Sequence, residues 1–70
     1  MQDKIKGFIE EAKRNEYWSL LPIEEFESIG ELKETVELCC KLKLSTEIKA
    51  EHSNFYQGVL FGVKNKNLDK

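Results

Sequence analysis

The chain has 70 residues, 40% of them hydrophobic and 34% charged, and its 13 acidic and 11 basic residues give a net charge of −2. This length predicts one small domain, residues 1–70, with a single core. Four Phe, two Tyr and one Trp supply the large side chains of a core, which argues against a disordered chain. A pI near 5.4 argues against direct nucleic-acid binding, which normally needs a basic surface.

The distribution of charged residues and cysteines bears on the compartment. The first 20 residues interleave charged and apolar positions, unlike a signal peptide, and no apolar run approaches the ~20 residues of a membrane span. Cys39 and Cys40 are adjacent, a spacing that does not favour a disulfide between them. We therefore expect a cytoplasmic protein with free thiols and no membrane partner.

The first predicted element is an amphipathic helix over residues 2–17. Ile5, Phe8, Ile9 and Ala12 recur at helical spacing, and charged residues occupy the opposite side. Because a helix rarely continues through the residue before a proline, this helix should end before Pro22. Residues 18–22 are interpreted as a short apolar connector.

A second helix is predicted over residues 22–42, with Pro22 in its first turn. Ser28 is a competing start, because Glu31 follows it at the spacing of a capping box. Six of the 13 acidic residues fall within residues 23–37, where Lys33 is the one base. On a helical wheel four of them lie opposite the apolar side and predict a continuous exposed acidic stripe: Glu24, Glu27, Glu31 and Glu34.

Residues 40–64 have two interpretations, and the choice between them decides the fold class. Capped by Ser45, they form a third helix over about residues 45–66, in which Ile48, Val59 and Val63 share one side. Alternatively, they form a β-hairpin with strands at about 40–51 and 55–64. We favour the helix, which predicts an all-α domain of three helices, with an α+β fold of two helices and a hairpin as the alternative.

The residues that could support chemistry are few. Cys39, Cys40 and His52 fall short of the four ligands of a structural zinc site, and the cysteines lie towards the end of the second helix, where a thiolate is not stabilised. We therefore predict no metal, no cofactor and no enzymatic activity.

The acidic stripe is the strongest functional signal. A one-signed row of carboxylates suits docking onto a basic surface of another protein, with Leu38 as an apolar contact beside it. This pattern predicts an adaptor, regulator or inhibitor. An alternative within the same logic is a phage-type inhibitor that imitates nucleic-acid charge, as some anti-CRISPR proteins do.

A different alternative is a structural homo-oligomer, most simply a homodimer. Gly58 and Gly62 are four residues apart, so on a helix they lie on one side and allow another backbone to approach closely. Phe61 falls outside the apolar arc of that helix and would be exposed in a monomer. Gly58, Phe61 and Gly62 are therefore the predicted oligomer interface.

Overall fold

The computed structural model of the protein describes residues 1–54 and 56–68. Helix α1 (Asp3–Ala12) is followed by strand β1 (Ser19–Pro22), helix α2 (Ile29–Lys41) and strands β2 (Ser45–His52) and β3 (Gln57–Lys64). Two short 3₁₀ segments, Ile23–Glu25 and Lys66–Leu68, complete the described chain. The strands form an antiparallel sheet in the order β1-β3-β2. The fold is α+β.

The predicted three-helix domain is therefore wrong, because residues 45–64 form a hairpin instead of a third helix over 45–66. The glycines at 58 and 62 each weaken a helix by about 1 kcal/mol, whereas Val and Phe suit a pleated surface. The α+β alternative has the right class, although its first strand begins at Ser45 and not at 40. The predicted start of its second strand, Phe55, lies outside the described residues. Neither interpretation predicted β1.

The predicted helix over 22–42 is also shorter in the structure. Pro22, predicted to lie in its first turn, is the last residue of β1. Ile23–Glu25 form a 3₁₀ segment, and the chain then extends through Phe26, whose side chain is buried. Ser28 caps α2, since its hydroxyl oxygen accepts the Glu31 N–H at 3.1 Å. The competing start at Ser28 is the correct one, because a side-chain cap satisfies an N–H that the first turn leaves without a partner.

Helix α1 ends earlier than the predicted residue 17. The N–H of Lys13 still bonds the Ile9 carbonyl, but that of Asn15 bonds the Ala12 carbonyl, which tightens the last turn. The Asn15 side chain then accepts the Tyr17 N–H at 3.0 Å. Asn commonly bonds its own backbone two residues on, and this turn directs the chain into β1.

The end of α2 is set by a left-handed residue. Lys43 has a φ of 63°, its N–H donates to the Cys40 carbonyl at 3.1 Å, and the Leu44 N–H donates to the Cys39 carbonyl at 2.8 Å. This pair of bonds is a Schellman motif, which satisfies helix carbonyls and reverses the chain. It brings Leu44 into the core and starts β2.

The core lies between the two helices and one face of the sheet. Phe61 is at its centre, with its ring edge-to-face with Phe26 at 5.3 Å and tilted against Phe8 at 6.3 Å. The expectation that Phe61 is exposed in a monomer is therefore wrong, because on a strand it points to the same side as Val63. The buried hydrophobic residues are Ile5, Ile9, Ala12, Phe26, Cys39, Leu44, Phe61 and Val63.

Candidate protein-binding face

The side of the sheet opposite the core carries the even-numbered residues of β3. Gly58, Leu60 and Gly62 alternate with the core-facing residues, and the register places Leu20 opposite Gly62 and Pro22 opposite Leu60. The helices pack on the other side, against Phe61 and Val63. This outer surface belongs to the kind of antiparallel sheet that faces solvent on one side.

Both glycines on this surface lie under an aromatic ring. A Cβ on Gly62 would lie 3.2 Å from Trp18 Cε3 and 3.2 Å from Leu20 Cδ2, and one on Gly58 would lie only 2.7 Å from Tyr56 Oη. Aromatic rings commonly cover strand glycines in this way. The two glycines therefore make room for rings of the same chain, and this is why their spacing does not mark a helix seam.

We call this surface the sheet face and define it by Trp18, Leu20, Tyr56 and Leu60. Trp18 is 39% exposed and Leu20 is 51% exposed. Trp18, Leu20 and Gly62 line a cavity of about 140 Å³, closed on the β2 side by Glu47 and Lys49. That volume is close to the ~150 Å³ that holds a benzene ring in an apolar cavity, so it suits one apolar side chain.

The acidic stripe is interrupted in the structure. Glu24, Glu27 and Glu34 are exposed, but Glu31 is only 7% exposed. The Glu31 carboxylate accepts the Glu27 N–H at 2.8 Å, the Gln2 N–H at 2.9 Å and the Gln2 side-chain amide at 2.8 Å. The prediction of a continuous exposed stripe is therefore wrong at Glu31, which instead joins the starts of α1 and α2.

These bonds also set the protonation of Glu31. Hydrogen bonds from the backbone N–H groups of Glu27 and Gln2 favour the charged form and hold the pKa of Glu31 below its ordinary value. Nearby, Lys4 Nζ lies 2.7 Å from Glu25 Oε1, and this hydrogen bond with its attendant attraction raises the pKa of Lys4. The carboxylate of Glu25 is thus paired with Lys4, and that of Glu31 with Gln2 and Glu27, within the same chain.

Leu38 lies on α2 one turn after Glu34, where it is half-buried and packs against the core. It lines an apolar groove of about 510 Å³ between α1 and α2, together with Ile9 and Leu42. The three residues of the predicted oligomer interface, by contrast, lie on opposite sides of the sheet. Gly58 and Gly62 lie on the sheet face, whereas Phe61 points into the core.

The described residues offer little for chemistry. Cys39 is buried, which raises the pKa of its thiol, and Cys40 is exposed. Residues 1–54 and 56–68 contain no cluster of three His, Cys, Asp or Glu side chains that would hold a metal. In the same part of the chain, no helix combines the length and the apolar character that crossing a bilayer requires.

The sequence interpretation missed Trp18, Leu20 and Tyr56 as members of one surface. Residues 18–22 give only a weak strand signal, because Leu21 is apolar like Trp18, Leu20 and Pro22 and the run does not alternate with polar residues. A short apolar run of this kind suits a connector as well as a strand.

Comparison of the chain with protein-family models, with curated proteins and with solved structures gives no match.

Proposed function

We propose that this protein is a non-enzymatic protein-binding module that binds its partner through the sheet face. One observation carries the proposal: Trp18 and Leu20 are 39% and 51% exposed on a sheet surface opposite the helices, beside a cavity the size of one apolar side chain. Exposed apolar patches with a polar rim commonly mark interaction sites, and Trp is enriched among the residues that dominate binding energy.

The charge of the chain indicates the chemistry of the partner. Glu24, Glu27 and Glu34 are exposed, and Glu24 follows Pro22 of the sheet face by two residues, so their Cα atoms are within ~7 Å. A partner that inserts an apolar side chain beside Trp18 and carries Lys or Arg where it passes the Pro22 end of β1 would complement the sheet face and Glu24. Glu34, on α2 at the other side of the sheet, would act through the longer-range field. Electrostatic complementarity of this kind mainly raises the association rate.

Burial of Glu31 favours this mode over imitation of nucleic-acid charge. Without Glu31, the carboxylates at 27 and 34 are seven residues apart, and they form no regular row comparable to successive phosphates. The proposed role is therefore that of an adaptor, regulator or inhibitor anchored by an apolar contact and oriented by charge. Leu38 lies in the groove between the helices and takes no part in this contact.

Selection of a phage-displayed random peptide library on the immobilised protein tests the proposal. We expect the selected peptides to share a large apolar residue flanked by Lys or Arg. Synthetic copies should bind Trp18→Ala at least tenfold more weakly than wild type. Tyr17→Ala is the matched control, because Tyr17 is the adjacent aromatic residue and is 71% exposed. Equal affinity of the peptides for wild type and Trp18→Ala would overturn the proposal.

Association and dissociation rates of the same peptides with charge variants of the protein distinguish electrostatic attraction from the apolar contact at Trp18. Replacing Glu24, Glu27 and Glu34 together by Gln should slow association severalfold and change dissociation little. The control replaces Glu10, Glu11 and Glu16 by Gln, which makes the same change in net charge in α1 and the turn after it. If both triple variants slow association equally, only net charge matters, and the local role of Glu24, Glu27 and Glu34 is excluded.

A further inference from the structure

Within residues 1–54 and 56–68 no strand pairs with the outer edge of β2, and the register shows which residues of β2 turn their backbone N–H and C=O groups to that edge. The strand order β1-β3-β2 leaves β2 at the edge of the sheet. The Ser53 N–H donates to the Tyr56 carbonyl at 3.0 Å and the Tyr56 N–H donates to Ser53 Oγ at 3.1 Å, so Ser53 turns its backbone N–H towards β3 where the hairpin closes. Counting back in twos, Glu51, Lys49 and Glu47 bond to β3, so the intervening residues turn their N–H and C=O groups to the open edge: Thr46, Ile48, Ala50 and His52.

The side chains of this edge are unusual for a strand that avoids pairing. Ile48 is 56% exposed, although it lies opposite Phe61 on the core side of the sheet. On the outer side, Glu47 and Lys49 are both exposed and of opposite sign, and Lys49 Nζ lies 3.9 Å from Glu51 Oε2. Charged side chains on an edge usually oppose pairing, but Glu47, Lys49 and Glu51 alternate in sign, so they repel a second copy only in some registers, and the core side of β2 has the uncharged Thr46, Ile48 and Ala50.

The edge is complementary to a second copy of itself in one register. Antiparallel pairing about a two-fold axis through Ile48 sets Ile48 opposite the partner's Ile48 and Glu47 opposite the partner's Lys49. Thr46 then lies opposite the partner's Ala50, and both residues offer backbone groups at the edge. Opposite charges and apolar residues directly across a strand pair are stabilising.

Neighbouring registers fit less well. Core-facing residues must lie opposite core-facing residues of the partner, so the two-fold axis must pass through a residue and not between two residues. The alternative registers are therefore those with the axis through a different residue of β2. An axis through Glu47 or Lys49 places like charges opposite each other. An axis through Ala50 pairs Lys49 with the partner's Glu51, but it shortens the ladder to residues 48–52 and places Ile48 opposite His52.

We infer that the protein forms a homodimer by antiparallel pairing of the two β2 edges about Ile48, which joins the sheets into one of six strands. The inference goes beyond the proposed function, because the dimer leaves Trp18 and Leu20 open. A single strand pair is a small interface, so we expect a dissociation constant of roughly 10–100 μM. Trp18→Ala should leave dimerisation unchanged, which separates this inference from partner binding.

Sedimentation equilibrium from 5 to 500 μM in reducing buffer measures the dimer. Glu47→Lys sets the introduced lysine of each chain opposite the partner's Lys49, and Lys49→Glu makes the converse carboxylate pair, so each variant should dimerise at least tenfold more weakly. An equimolar mixture of the two variants should regain wild-type affinity, since both cross-strand pairs become opposite in sign. The double variant Glu47→Lys/Lys49→Glu should regain it alone.

Two further variants test which register is formed and whether loss of the dimer leaves the monomer folded. Glu51→Lys changes charge on the same strand and side, but it faces the partner's Ser45 and should alter affinity less than threefold, whereas the axis through Ala50 predicts strong loss. Ile48→Lys places two ammonium groups at the axis and should give a monomer whose circular dichroism matches wild type. A wild-type monomer at 500 μM, or a mixture that stays monomeric, would overturn the inference.

Discussion

Gln2 and Glu31 join the starts of the two helices, although 29 residues separate them. The Gln2 N–H donates to Glu31 Oε2 at 2.9 Å and the Gln2 side-chain amide donates to Oε1 at 2.8 Å. The same carboxylate accepts the Glu27 N–H, so one side chain orders the entrance to α2 and the beginning of α1. Glu31, which the sequence predicted to contact a partner, therefore stabilises the fold instead.

Glu31→Gln should destabilise the fold, because an amide has one acceptor oxygen and no charge with which to bind three donors. Hydrogen bonds to charged groups are the stronger class, and we expect the melting temperature to fall by roughly 5–10 °C. Glu34→Gln is the matched control on the same helix and should change it by less than about 2 °C. Thermal unfolding followed by circular dichroism measures both. Equal melting temperatures would mean that the Gln2 contacts contribute nothing to stability.

The lowered pKa of Glu31 predicts a loss of stability in acid. A carboxyl whose pKa is depressed in the folded state contributes stability that is fully present above its ordinary value of 4.5. That contribution is lost as the pH falls through the lower folded pKa. The difference in melting temperature between wild type and Glu31→Gln should therefore shrink as the pH is lowered from above 4.5 into the acid range. A difference that stays constant over this range would show that the charge of Glu31 is irrelevant.

Phe61→Leu should weaken the monomer itself, since Phe61 is buried against Phe26 and Phe8. Loss of the edge-to-face contact and imperfect refilling of the space should cost about 1–2 kcal/mol in urea unfolding. The cost should be the same at 5 and 200 μM protein. A cost that appears only at the higher concentration would return Phe61 to an oligomer interface.

Lys43→Gly should stabilise the protein, because Lys43 has a φ of 63° at the end of α2. Glycine adopts this conformation without the Cβ clash, and the gain should be about 0.5–1 kcal/mol after its greater freedom in the unfolded chain is counted. Lys41→Gly, two residues earlier within α2, is the control and should destabilise by about 0.5–1 kcal/mol. Urea unfolding of the pair should show opposite signs. A loss of stability in both would mean that the Schellman geometry is not strained at Lys43.

Local signals predicted several parts of the fold correctly. The apolar spacing of Ile5, Ile9 and Ala12 identified α1, and the Ser28-to-Glu31 spacing identified the true start of α2. In each case the stabilising contacts lie within one or two turns of chain, so the sequence contains the whole cause. The alternating pattern of residues 45–52 was also present, but Ile48, Val59 and Val63 fit a helix as well, because three apolar residues satisfy either period.

The rest of the fold depends on contacts between residues that are distant in the sequence. A strand is stabilised by its neighbours, so β1 exists because Leu21 pairs with Phe61, 40 positions away, and no local pattern in residues 18–22 requires that. The same holds for Glu31, whose burial depends on Gln2, and for Phe61, whose direction depends on which period the chain adopts. The sequence alone determined a small acidic domain with two amphipathic helices, while tertiary pairing decided that the glycines lie under Trp18 and Tyr56 and that the exposed surface is a sheet.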